Sequence, residues 1–247
     1  DYGAKEASCI PQVTLRDPRL TGQGVLIAVL DSGIDYFLTE FQNADGTTRI
    51  LTLWDQSAIP DVEHNRLPPE GYTEGVLYTR DEINEALAAG SRQAGLAIVP
   101  QQDISGHGTA VAALAAGSQS GVAAQAQLVV VKLGNPLAES FPRTTQLMRG
   151  ISYAVNLGVE LNMPVVVNLS FGNTYGDHRG ESLLERFIDN ASEIGRTAII
   201  IGSGNEGASN GHTAGIALTQ KNIELAVAAY ETEIPEYSTL HELKVFL

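Results

Sequence analysis

With 247 residues, 43% hydrophobic and 18% charged, the chain has the make-up of a folded protein with a sizeable core, which excludes a disordered segment. Acids outnumber bases 29 to 15, and the net charge of −14 argues against nucleic acid and anionic membrane surfaces as partners. No apolar run reaches the roughly 18 residues that a membrane span needs, and Cys9, standing alone, excludes an intrachain disulfide.

Residues 1–24 read as an N-terminal arm. The run "VLIAVL" (Val25–Leu30) is continuous and rich in Val and Ile, as expected of a strand covered on both faces. It ends in "DSGID", a carboxylate followed by a tight turn. "NADGTTRILTLWDQ" predicts a turn and a short strand, and "IPDVEHNRLPPEGY" a loop. "TRDEINEALAAG" predicts a helix, with Thr79 and Glu82 in capping-box spacing.

Next comes "DISGHGTAVAALAAG". Seven of the ten residues from Gly108 to Gly117 are Gly or Ala. A surface helix would carry charge there and an ordinary core helix would carry Leu, Ile or Phe. The sparseness predicts a helix threading the middle of the molecule, with His107 at its start and no room for larger side chains at Ala112, Ala113 and Ala116.

Three more buried strands follow: "LVVVKL" (Leu128–Leu133), "PVVVNLS" (Pro164–Ser170) and "TAIIIGSG" (Thr197–Gly204). Amphipathic helices lie between them. One presents Leu147, Ile151, Ala154, Val155, Gly158 and Leu161 on a single face; the other presents Leu184, Phe187, Ile188 and Ala191. Alternating strands and helices predict an α/β fold, a doubly wound and mostly parallel sheet with helices on both faces. In such sheets function gathers at the carboxyl ends of the strands. Here those ends read "DSGID", "SFGN" and "GSGNEG", so polar groups and glycines share one edge.

A buried carboxylate beside an imidazole fixes the ring's tautomer and stabilises its charged form, while the imidazole takes a proton from a nucleophile. An amide such as Asn205 can donate to a developing oxyanion. A dinucleotide site would need G-x-G-x-x-G after the first strand, and "DSGID" stands there instead.

"VLIAVLDSGID", "GHGTAVAALAAG", "VVNLSFG" and "GSGNEG" resemble, in order, the aspartate, histidine, substrate-strand and oxyanion-asparagine motifs of the subtilisin-like serine proteases. The resemblance covers roughly residues 13–230. It implies a serine endopeptidase with Asp31 as orienting acid, His107 as general base and Asn205 as oxyanion donor. It also implies that Ser170, Phe171 and Gly172 line a cleft for an extended peptide or protein substrate. The family's nucleophile lies in a Gly-Thr-Ser motif after the asparagine, and none follows Asn205 here. The resemblance therefore implies a serine beyond residue 247, a catalytic domain begun over 25–230, and a chain inactive by itself. The alternative is a catalytically inactive relative acting as a binding or regulatory protein. "NADGTTRILTLWDQS" and "YTRDEINEAL" are similar to the branch of bacterial spore-germination proteases, in which a jelly-roll module interrupts the catalytic domain. Residues 231–247, where the helix–strand alternation stops, would open that module. Catalysis in the family needs no cofactor. Structural calcium on loop oxygens is a family habit, for which no specific ligand pattern is present. An extracellular or spore-associated location is implied by the resemblance alone, and the oligomeric state is left open.

Overall fold

The central strand is β1 (Leu26–Asp31), and every one of its six residues is buried. The structure, a computed structural model, describes residues 2–12, 20–134, 143–170 and 179–205. It divides into two compact units, Asp1–Gly204 and Asn205–Leu247. In the first unit, β1 lies between β4 (Gln127–Lys132) and β5 (Val165–Leu169). Outside these lie β2 (Ile50–Asp55) and β3 (Val76–Thr79) on one side and β6 (Thr197–Ile201) on the other. The strand order is β3-β2-β4-β1-β5-β6. All neighbours are parallel except β2 and β3, which run antiparallel.

Successive side chains of a strand point to opposite faces. Leu26, Ala28 and Leu30 face one core, together with Val129, Val131 and Val167. That core is covered by α5 (Thr144–Glu160) and α6 (Leu183–Ser192). Ile27 and Val29 face the other core with Leu53, Leu128 and Val130. It is covered by α2 (Arg80–Ala88), α3 (Arg92–Ile98) and α4 (His107–Ala116). Each fully buried Leu, Ile or Val removes enough apolar surface to contribute about 1.5–3 kcal/mol. Such a two-sided sheet explains why its strands read as unbroken apolar runs. A short helix, α1 (Tyr2–Ala7), lies in the N-terminal arm.

The expected strands are all present, with ends displaced by at most three residues; β6, expected to be buried, is instead half-buried to exposed along its length, because it is an edge strand paired on one side only among the described residues. Thr79 caps α2 in a full capping box with Glu82. On α5, Ile151, Ala154, Val155 and Gly158 are buried as expected. Leu147 is only half-buried and Leu161 is exposed, because the first and last turns run past the sheet. The small-residue helix differs from its expectation. Ala112 and Ala116 are fully buried, but Ala113 is half-buried and Leu114 is 56% exposed. Helix α4 thus lies on the sheet with one open face and does not thread the interior. The expected boundary between 230 and 231 lies outside the described residues.

Candidate active site

Parity along β1 carries the acid to its place. Asp31 follows Ile27 and Val29 on the face covered by α4, at the carboxyl end of the strand, and is 1% exposed. Beyond it the chain turns sharply through Gly33, whose φ of +120° is open to glycine and strained for other residues.

The candidate base, His107, comes from α4. Its N-cap is Gly106, in the left-handed region at φ +75° and without a side chain to cap the helix. Asp103 does that work from three residues upstream. Its Oδ1 accepts from the Gly106 amide at 3.0 Å, and its Oδ2 accepts from the Thr109 amide at 2.9 Å and the Thr109 hydroxyl at 2.6 Å. These bonds satisfy amides that a helix start leaves unpaired. Thr109 Oγ1 in turn accepts from the Asp35 amide at 2.9 Å, tying the helix to the turn after β1. Gly108 closes the approach. A β-carbon there would overlap the Gly33 carbonyl oxygen and come within 3.0 Å of Asp31 Cβ. No residue with a side chain fits between helix and strand end.

The outcome is a direct contact between residues 76 positions apart. His107 Nδ1–H donates to Asp31 Oδ1 at 2.7 Å. The same oxygen accepts from the Ser32 amide at 2.7 Å. The acid is buried while the His107 side chain is 54% exposed. With Nδ1 engaged, Nε2 is the ring nitrogen left for a proton acceptor's role, and no hydrogen bond to it exists among the described residues. An ionised carboxylate in this position holds the Nδ1–H tautomer and favours the imidazolium that forms on proton uptake.

Asp103 is held below the usual aspartate range. Burial pushes its carboxyl up, but hydrogen bonds from Thr109, Ser32 and the Gly106 amide outweigh that push. Nothing in the sequence analysis singled this residue out. Its signal is local: an acid three residues before a left-handed glycine, at the start of a helix that has no capping side chain of its own.

Ser170 stands one residue past the Leu30–Leu169 pair of β1 and β5, hence level with Asp31 on the same sheet edge. Its Oγ accepts from Asn168 Nδ2 at 2.9 Å. Phe171 and Gly172 lie outside the described residues. Past Ile201, residues 202–204 continue beyond the carboxyl end of β6, the third strand at this edge. Asn205 is exposed and opens the second unit, and the pairing described here is confined to the first. Among the described residues no group of three or more His, Cys, Asp or Glu side chains is placed to hold a metal ion, and no helix is long and apolar enough to cross a membrane.

Residues 22–242 match the model of the subtilase family, peptidase S8. The PI-type proteinase of Lactococcus lactis subsp. cremoris is 27% identical over 197 residues, covering 79% of this chain and 10% of that protein. The solved structure of the Clostridium perfringens CspB protease is 36% identical with a TM-score of 0.70, covering 85% of this chain and 42% of the other. Sphericase, at 21% identity and a TM-score of 0.50, shares the fold. This chain therefore spans about a tenth of the lactococcal proteinase and under half of the CspB chain. A match over nearly its whole length, joined to the Asp31–His107 contact at the carboxyl edge of a mostly parallel sheet, places the chain in the subtilase family.

Proposed function

We propose that this chain supplies the acid and the base of a serine endopeptidase that works through an Asp-His-Ser triad. The observation that carries the reading is the 2.7 Å bond from His107 Nδ1 to a buried Asp31. A serine hydroxyl facing Nε2 would give up its proton to the ring as its oxygen attacks the peptide carbonyl. The resulting imidazolium, steadied by Asp31, would return the proton to the leaving amine. Water would then release the acyl group by the same two transfers. Asn205 donates to the oxyanion in this reading. Ser170, Phe171 and Gly172 offer backbone to an extended peptide, which the end of β5 beside Asp31 supports. The nucleophile is assigned to a Gly-Thr-Ser segment encoded beyond residue 247. No step calls for a cofactor. The similarity of residues 43–57 and 78–87 to the spore-germination branch is the basis for reading the protein as one of that group, extracellular or spore-associated.

The test is a kinetic series on a protein that includes the downstream segment. His107→Ala is expected to lower kcat by about 10⁴ to 10⁶ with little change in KM. Asp31→Asn is expected to cost about 10⁴, and Asn205→Ala about 10² to 10³. The 247-residue chain is expected to show no turnover of a fluorogenic peptide. A His107→Ala protein with unaltered kcat would remove the assigned base. An inert unmutated protein would favour a binding or regulatory role.

A further inference from the structure

We propose that Asp103 is a positioning residue for the Asp31–His107 pair: it draws the Ser32 hydroxyl proton to itself and leaves Asp31 Oδ1 to the imidazole. The proposal rests on the reading of Asp31 and His107 as acid and base.

The Ser32 hydroxyl stands between two carboxylates, 2.8 Å from Asp103 Oδ1 and 3.1 Å from Asp31 Oδ1. It has one proton and two lone pairs. The Gly108 amide donates to its oxygen at 3.0 Å, and the Ser105 hydroxyl, 2.8 Å from it and 3.2 Å from Asp103 Oδ1, donates to it as the nearer acceptor. Both lone pairs are thereby used, and the single proton goes to one carboxylate or the other. The shorter distance selects Asp103. Asp31 Oδ1 then accepts from the Ser32 amide and from His107, with no hydroxyl competing for it. Asp31 Oδ2 is buried and has no hydrogen-bond partner among the described residues. The negative charge of Asp31 is thus balanced chiefly through the oxygen that meets the imidazole. Asp103 Oδ1 can take the proton because its carboxylate is fixed by the Gly106 and Thr109 amides and the Thr109 hydroxyl.

The charged groups around the pair come from several elements. Asp31 ends β1 and Asp103 precedes α4. Asp35, in the turn after β1, is paired with Arg92 of α3 at 3.1 Å. Lys132 of β4 sends its ammonium to the Gln102 carbonyl at 2.9 Å and lies 3.7 Å from Asp55. Asp103 is the member of this set joined to the pair through a hydroxyl.

The test is an NMR titration of ¹⁵N-labelled histidine in the full chain, with His107 assigned through a His107→Gln control. Asp31→Asn is expected to lower the His107 titration midpoint by about one pH unit or more, by removing the adjacent charge. Asp103→Asn is expected to lower it by about half a unit: one negative charge is lost, and the Ser32 proton turns to Asp31. Ser32→Ala keeps the carboxylate that caps α4 and reads the proton's position by its sign. With the proton on Asp103, the Ser32 oxygen faces Asp31 with no proton between them. Removing it relieves that repulsion, and the midpoint falls. With the proton on Asp31, removing the hydroxyl strips a donor, and the midpoint rises. A rise in Ser32→Ala overturns the proposal even where Asp103→Asn does not fold. An unchanged midpoint in Asp103→Asn also overturns it. A midpoint unmoved by Asp31→Asn would instead overturn the acid–base pairing itself.

Discussion

Gly108 packs its α-carbon directly against the backbone of Gly33, with no space for a β-carbon between helix and strand end. The consequence is steric, since Gly108 is not among the residues with positive φ. Gly108→Ala is expected to cost about 1–3 kcal/mol of stability by overpacking and to push His107 away from Asp31. Denaturant unfolding reads the first effect. Loss of the low-field His107 Nδ1 proton resonance reads the second. An unchanged resonance with unchanged stability would mean that the helix start yields without disturbing the pair.

The open face of α4 gives a contrast within ten residues. Ala112→Leu and Ala116→Leu are each expected to cost about 1–3 kcal/mol, because both alanines are fully buried against the sheet. Leu114→Ala, on the exposed face, is expected to stay within about 0.5 kcal/mol. Ala113→Leu should fall between them. Equal effects at Ala112 and Leu114 would contradict the one-sided packing.

The far end of the same helix is held by Arg49, which is 7% exposed. Its guanidinium donates to the carbonyl of Ala116, to Glu40 at 2.7 Å, and to Ala124 and Ala126 at 2.6 and 3.0 Å. Arg49→Leu would leave the carbonyls of Ala116, Ala124 and Ala126 without this donor, while the Glu40 carbonyl keeps the Ser118 amide at 2.8 Å, and a loss of about 3–5 kcal/mol is expected in thermal or urea unfolding. Arg49→Lys keeps the charge but lacks the fork of donors, so it should recover only part of that loss.

Asp103 predicts an acid dependence. Burial opposes its ionisation, yet hydrogen bonds from Thr109, Ser32 and Gly106 hold its carboxyl below the ordinary aspartate range. A carboxyl depressed by folding stabilises the native state above its unfolded value. That contribution is lost as the pH falls through the folded value. The stability gap between the native sequence and Asp103→Asn should be widest near neutrality and should narrow in acid. Urea unfolding at a series of pH values measures it; a gap independent of pH would show that the charge is not what stabilises the loop.

The parallel core was legible because strands buried on both faces leave unbroken runs of Val, Ile and Leu. The edge was not. Strand β3, "VLYT", has strand-favouring residues buried at alternate positions, but its four residues between a proline-rich loop and a capped helix are too few to show the alternation. Helix α3, "RQAGLAI", is too short to show a period. Within the site, Asp31 and His107 were legible from their flanking motifs. Asp103 was not: its Gly106 and Thr109 donors lie within six residues, but the left-handed turn at Gly106 that gathers them is not written in the residue types, and its Ser32 donor stands 71 positions away. Arg49 was hidden for the same reason. Its partners are backbone carbonyls, and backbone leaves no mark in a sequence.

Asp31 and His107 are carried by parts of the molecule with different resistance to opening. Asp31 ends a strand paired on both sides and walled by two cores, where backbone amides exchange with solvent only on near-global unfolding. His107 begins a ten-residue helix with an exposed face, tied down by side-chain bonds at one end and a guanidinium at the other. Thermal fluctuation therefore enters the pair from the side of His107. The carboxylate acts as the fixed point, and the imidazole samples small excursions around it. In the reaction proposed above, the ring that takes a proton from one partner and delivers it to another stands on the element freer to move.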